Sequence, residues 1–186
     1  MKIRQQKQIR AFLLEAFGES EGNTLSAQQE EALRTLLGQM KNASRSQRKT
    51  LTQTILPRIA LYQTLLGSGL SKADATARMR HYMMDVVGAE KHASTARIEA
   101  IPGFYALYSR VFLRVVRTTD LWESEQAHDK DHFDVTIRKC LWHTACVENG
   151  CAELCPLFCE VDNVNYGGLK KLGFSRTKTI GCGGDC

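Results

Sequence analysis

The sequence predicts an α+β fold: an N-terminal helical part of about five helices, packed with a small C-terminal strand-helix-helix-strand unit rich in cysteine. Three observations lead there. Up to residue 118 apolar residues recur at intervals of three and four, the period of a helix face. From residue 132 two short segments alternate apolar and polar residues instead, the period of a half-buried strand. All seven cysteines lie at or beyond Cys140, so the last part of the chain is chemically distinct from the first. At 186 residues the chain suits a single domain, residues 1–186, large enough to bury a core without disulfide staples. Its sub-regions are a helical part (1–118), a connection (119–131) and a cysteine-rich α+β unit (132–186).

The helices follow in order. Ile9, Phe12, Leu13, Ala16 and Phe17 give the basic N-terminus a helical face, so it reads as a first helix and not as a signal peptide. Ser26 followed by Gln29 resembles a capping box opening a second helix with Leu33, Leu36, Leu37 and Met40 on one face. The segment TILPRIALYQTLLGSGLS predicts a third that starts or kinks at Pro57, whose ring collides with a preceding turn, and ends at Gly67. Ser71 and Asp74 repeat the capping signal before Ala75, Met79, Tyr82 and Val86. A fifth helix follows Pro102 and Gly103, with Phe104, Leu107, Tyr108, Val111 and Val115 in phase.

After Thr119 the pattern changes. TDLWESEQAHDKDH lacks an apolar period and reads as a connection or a short edge element. In HFDVTIRKC, Phe133, Val135 and Ile137 oppose Asp134, Thr136 and Arg138, which predicts a strand with one buried face and places Cys140 on the polar side. LWHTACVEN predicts a short helix stopped at Asn149-Gly150. The next helix becomes regular at Pro156, and GFSRTKTIG alternates again as a last strand.

Composition narrows the partners. Residues 1–118 carry 18 Lys/Arg against 9 Asp/Glu, the remainder 7 against 11. The basic charges are spread over several helices, and the densest group, KNASRSQRK at 41–49, lies in a Ser/Asn-rich connection, so a solvated surface is expected and nucleic acid is not. The longest apolar stretch, residues 101–116, is interrupted by Arg110 and Arg114 and falls short of the roughly 20 residues a membrane span needs, so no membrane is expected as a partner. A cytoplasmic setting, with reduced thiols, follows as an expectation.

The cysteines carry the chemical question. Their first four gaps hold five, four, three and three residues, unlike the Cys-x-x-Cys knuckles of common zinc sites. Cys155, Cys159 and Asp162 share a helix face by spacing, and Cys159 and Asp162 with a third ligand from Cys140 or the terminal Cys182 and Cys186 would offer a mixed sulfur and oxygen site for a divalent metal such as zinc. Cys146, Cys151 and Cys155 sit among apolar neighbours and read as core. Cys140 and Cys159 are the functional candidates. Arg138 and Lys139 beside Cys140 would favour a thiolate, while Glu160 and Asp162 near Cys159 favour a thiol or a metal-bound thiolate. His143 is placed to act as acid or base. His128 and His132 have metal-binding spacing in an acidic, solvated setting. Arg176 is a candidate cation for a substrate carboxylate.

The order FDVTIRKC, NGCAEL, LFCEVD and FSRTKTIGCGGDC resembles the L-2-amino-thiazoline-4-carboxylic acid hydrolase family of bacteria, best over residues 132–186 and more loosely over the preceding helices. The resemblance carries Cys140, Gly150, Glu153, Cys159, Asp162, Arg176, Thr177 and Cys186 as matching positions. The family's pattern runs on beyond the position of Cys186 with an Asp and aromatic residues. The resemblance implies a hydrolase that opens a small cyclic isothiourea carboxylate to N-carbamoyl-cysteine. Cys140, Cys159, Asp162 and His143 would be the catalytic candidates and Arg176, Thr177 and Arg138 the substrate-binding ones. Two mechanisms fit: attack by a Cys140 thiolate with proton transfer by Asp162 or His143, or water activated by a metal on Cys140, Cys159, Asp162 and Cys186. A weaker resemblance, to vinyl-reductase-type small-molecule-binding domains, implies a ligand or metal sensor or carrier, with the helical half as a surface for a homodimer or another partner.

Overall fold

The computed structural model describes residues 3–183. Helices dominate it, joined by one small antiparallel hairpin near the C-terminal end, in agreement with the α+β expectation. Helix α1 (Gln5–Gln39) is two arms folded at Gly18, whose φ of 77° is open to glycine at little cost. The break therefore falls eight residues before the expected capping box, and Ser26 is buried inside the second arm. The capping box that does form lies at Ser44, which accepts from the Gln47 amide while the Gln47 side chain accepts from Ser44 N–H. It opens α2 (Arg45–Thr50), so part of the presumed connection at 41–49 is helical.

From α2 the chain runs as one rod through a π-helical segment (Leu51–Ile55) into α3 (Leu56–Gly67). Proline explains the widened turn: Pro57 offers no N–H to the Gln53 carbonyl, and the Leu56 amide reaches back to Leu51 instead. The freed Gln53 carbonyl is satisfied by Gln5 Nε2 at 2.8 Å, which pins the first arm of α1 to the rod. A second rod joins α4 (Lys72–His81), a π-helical segment (Tyr82–Gly88) and α5 (Ala89–Glu99). Its N-cap is Ser71, as the sequence predicts, accepting from Asp74 N–H at 3.1 Å. Helix α6 (Phe104–Thr118) follows.

The acidic stretch read as a connection or edge element supplies strand β1 (Trp122–His128), paired antiparallel with β2 (Phe133–Cys140). Glu123 faces Lys139 and Ser124 faces Ile137, so Arg138 is the extra residue of a β-bulge. The bulge changes which side Cys140 occupies. Its partner Trp122 alternates in phase with Ser124, the partner of Ile137, so Cys140 shares the face of Phe133, Val135 and Ile137 and not the polar face. Helix α7 (Leu141–Glu148), a 3₁₀ turn (Ala152–Leu154), α8 (Cys155–Tyr166) and a 3₁₀ turn (Ile180–Cys182) complete the fold. The expected last strand over 173–181 does not form. The hairpin already contains its own pair, and in that stretch Arg176 and Phe174 are anchored by side-chain contacts instead of a ladder. One apolar cluster runs from Ile9 through α3, α4 and the second π segment to Cys146, Leu157 and Val161.

Candidate active site

Helix α8 turns Cys155, Leu157, Phe158, Val161 and Asn165 into the core. Cys159 and Asp162 stand on the rim of that face, half buried. The segment after α8 folds back over them, and Arg176 holds it there. Its Nη1 donates to the Cys159 carbonyl at 2.7 Å and its Nη2 to Asp162 Oδ2 at 2.8 Å. With side chains 18% and 35% exposed, this pair is better shielded from water than an ordinary surface bridge. The guanidinium also lies 4.9 Å over the Phe174 ring, which in turn contacts Tyr166. Tyr166 and Tyr108 hydroxyls bond each other, and burial, reinforced by the nearby Asp162 charge, pushes both phenols up. Asp162 Oδ1 has no hydrogen-bond partner among the described residues, which leaves it available for proton transfer.

Cys140 occupies the N-cap position of α7. It lines a groove of about 620 Å³ between the end of α1, the α2 rod and the hairpin, with Trp122, Leu141 and Thr144 nearby. Stacking of Trp122 on Trp142, with centroids 5.4 Å apart, fixes one side of this region. Arg138 and Lys139 do not face the thiol. Both project from the outer face of the hairpin, Arg138 to Glu125 at 2.8 Å and Lys139 to Glu123 at 2.7 Å. The cations expected to favour a Cys140 thiolate are thus turned away from it. The 3₁₀ turn Ile180–Cys182 packs against both β2 and α8, so one segment links the strand of Cys140 to the helix of Asp162.

The structure thus brings Asp162, Cys159 and Arg176 together and places Cys140 in a groove whose lining contains none of those three. His143 is half buried on α7, and the groove takes Thr144 from that helix. Thr177 is exposed beside Arg176, and His132 is a solvated turn residue near Asp129. Cys146, Cys151 and Cys155 are buried in the core, with the Cys151 thiol on the Cys146 carbonyl at 3.4 Å. Contacts with the Cys151 and Cys155 thiols, together with burial, push the Cys146 thiol up. Among the described residues no three His, Cys, Asp or Glu side chains are grouped to hold a metal ion, so Cys140, Cys159 and Asp162 do not form such a site by themselves. Cys186, the fourth member of the expected set, lies outside the described residues.

Sequence reasoning passed over a second polar group beneath α8. Arg58, the one charged residue in the apolar run TILPRIALY, is 4% exposed, with its guanidinium 5.3 Å from the Phe158 ring centre. Tyr82 is fully buried with an unpartnered hydroxyl. Lys91 on α5 is accessible, yet desolvation draws its pKa down against the opposing pull of Asp162. A lone charged residue in a largely apolar helix is the available signal, since charge inside such a helix must have a reason.

The sequence model of the L-2-amino-thiazoline-4-carboxylic acid hydrolase family matches residues 47–186, three quarters of the chain. The chain belongs to that family. No curated protein and no solved structure matches it. The match begins within α2, so the matched region of this L-2-amino-thiazoline-4-carboxylic acid hydrolase family member takes in most of the first rod, the second rod, the hairpin and α8, while the whole of α1 precedes it. Arg58, Tyr82, Lys91, Cys140, Cys159, Asp162 and Arg176 all fall inside the matched region.

Proposed function

We propose that this chain hydrolyses L-2-amino-thiazoline-4-carboxylate to N-carbamoyl-cysteine. Membership of a hydrolase family supports the reaction type. The observation that supports the chemistry is the Asp162 carboxylate, oriented through one oxygen by Arg176 with the other unoccupied by a donor among the described residues. Arg176 acts here as a positioning residue, and its charge is already engaged with Asp162 and the Cys159 carbonyl.

The balanced reaction adds one water. A Cys140 thiolate attacks the ring carbon that bears the amino group, forming a carbon-sulfur bond. The bond from that carbon to the ring sulfur breaks, and the departing sulfur takes a proton to become the thiol of the product. Water then adds to the same carbon, losing a proton to a general base, and Cys140 leaves as thiolate. Asp162 is proposed as the proton-transfer group and Cys159 as a neighbouring candidate, with His143 as the alternative acid or base on α7.

Release of free thiol from the thiazoline tests the proposal. Wild-type protein should turn the substrate over with and without chelator, and Cys140→Ser and Asp162→Asn should each lose at least about 100-fold in kcat, the scale of a lost nucleophile or general base. Full activity in both variants would sink it, and loss on chelation would move the chemistry to a metal.

A further inference from the structure

The geometry points to a buried carboxylate-binding site formed by Arg58 and Tyr82 beneath Phe158, which selects small cyclic acids as ligands. This inference rests on the proposed reaction for the identity of the acid and on the structure for the site.

Arg58 follows the proline that widens the first rod, and Tyr82 opens the π-helical segment of the second. Such wide turns re-aim side chains inward and recur at functional sites. The arginine is built in. Gln5 accepts its Nε–H at 3.1 Å, and the same Gln5 amide donates to the Gln53 carbonyl that Pro57 leaves open, so backbone and side chain fix the guanidinium together. Gln29 donates to the Pro57 carbonyl at 3.0 Å from the other arm of α1. With its Nε used, Arg58 has no further hydrogen-bond partner among the described residues, and both terminal nitrogens remain to be satisfied. A cation 96% removed from solvent with no carboxylate partner is costly unless a ligand supplies one.

The tyrosine points to the same missing acceptor. Its hydroxyl is sealed from solvent with no partner, one of two such side-chain atoms among the described residues. Burial pushes its pKa up to about 12, and the Arg58 charge acts on it in the opposite sense, which places the two groups in one another's field. A phenol that holds its proton is a donor. Burial also draws the Arg58 guanidinium down to about 10, so it stays cationic at neutral pH. The Arg58 terminal nitrogens, unlike the Tyr82 oxygen, are not among the sealed atoms. Solvent therefore touches the arginine and not the phenol oxygen, and the exposed Lys91 lies in the field of both Arg58 and Asp162. Two guanidinium donors and one phenol donor match the lone pairs of a single carboxylate, and Phe158 offers a flat apolar neighbour to a five-membered ring. Asp162 stands one helical turn after Phe158 on α8, so the site for the acid adjoins the proposed proton-transfer group.

Calorimetric titration with three probes tests the site: L-2-amino-thiazoline-4-carboxylate, thiazolidine-4-carboxylate, and 2-amino-thiazoline, which lacks the acid. Wild-type protein should bind both acids at least about 30-fold more tightly than the acid-free ring, the scale of a charge-assisted, bidentate contact. Arg58→Gln should abolish that preference, and Tyr82→Phe should weaken both acids by about fivefold or more while leaving the acid-free ring unchanged. If the Arg58 variant does not fold, Tyr82→Phe decides alone, because it removes one oxygen from a buried ring. A Tyr82→Phe protein that is merely more heat-stable, with unchanged binding of the acids, overturns the inference, as does an undiminished preference in Arg58→Gln. Arg58-dependent binding of thiazolidine-4-carboxylate without any turnover of the thiazoline would sustain the site and sink the proposed reaction. Turnover whose KM ignores both substitutions would do the reverse.

Discussion

Gly22 is the residue on which the fold of α1 turns. A Cβ built there would stand 2.7 Å from the Leu13 carbonyl oxygen and 2.7 Å from Leu14 Cα, both backbone atoms that no rotamer change can move. The two arms therefore touch through their main chains, and this closeness lets Ile9, Phe12, Leu13 and Leu25 share one buried layer. Gly22→Ala must push the arms apart, and overpacking of this kind costs about 1–3 kcal/mol. Urea unfolding should show a lower midpoint with an unchanged slope. Gly38 lies in the second arm with nothing within 4 Å of its Cβ position, so Gly38→Ala should raise the stability by about 0.5–1 kcal/mol, the ordinary helix preference, and with it the midpoint. Equal effects at the two positions would mean that the arms are not in backbone contact. The same logic of a neighbour that a linear pattern does not show applies to Arg58, whose reason for burial is supplied by Gln5 and Phe158 from elsewhere in the chain.

The hairpin makes the point for a whole element. Alternation in HFDVTIRKC correctly announces a strand, but a bulge is a property of two strands, and the partner here is the acidic segment without an apolar period. Arg138 is the residue in excess. Deleting it should leave Trp122 opposite Cys140 and Ser124 opposite Ile137, so the thiol keeps its face and its rate of labelling by a small maleimide should stay within about twofold of wild type. Deleting Thr136 instead leaves the bulge in place and shifts Phe133 to Val135 by one position, turning that apolar pair outward and destabilising the hairpin. Retained labelling and stability in both deletions would contradict the register. The helical elements were more legible because their period is internal to each segment. The Ser71 cap was readable for the same reason, whereas Ser26 and Ser44 carry the same Ser-x-x-Gln signature and only the chain's prior direction decides between them. The last alternating stretch failed as a strand for want of a neighbour, and its Arg176 found Asp162 instead. The motif residues on α8 were thus found from sequence, while the polar group of Arg58, Tyr82 and Lys91, gathered from three rod segments, was not.

At the scale of the molecule the question is what joins the helical half to the cysteine-rich end. Apolar packing is continuous across the join, with Leu154 and Leu157 in the same cluster as Ile59 and Leu65. One polar node reinforces it. Glu153, in the turn before α8, accepts from Tyr62 Oη on α3 at 2.9 Å and pairs with Lys72 on α4 at 2.7 Å. Desolvation alone would raise the Glu153 pKa, but Lys72, a backbone N–H and the Tyr62 hydroxyl together outweigh it and hold the carboxyl below its ordinary value. A carboxylate with a depressed folded-state pKa contributes stability that is present above the unfolded value of about 4.3 and fades as pH falls through the folded value. Glu153→Gln keeps the shape and removes the charge. Its urea midpoint should therefore lie below that of wild type at pH 7, and the gap should narrow steadily between about pH 5 and pH 3 as the wild-type carboxyl protonates. The Lys72 side chain is 68% exposed, so added salt should close part of the same gap at pH 7. The absence of a gap at any pH or salt would show that the neutral hydrogen bond from Tyr62, which the amide oxygen in Glu153→Gln also accepts, and not the charge, makes the join. In that case the cysteine-rich end would be held to the rods by packing and one phenol, and Tyr62→Phe alone should lower the midpoint.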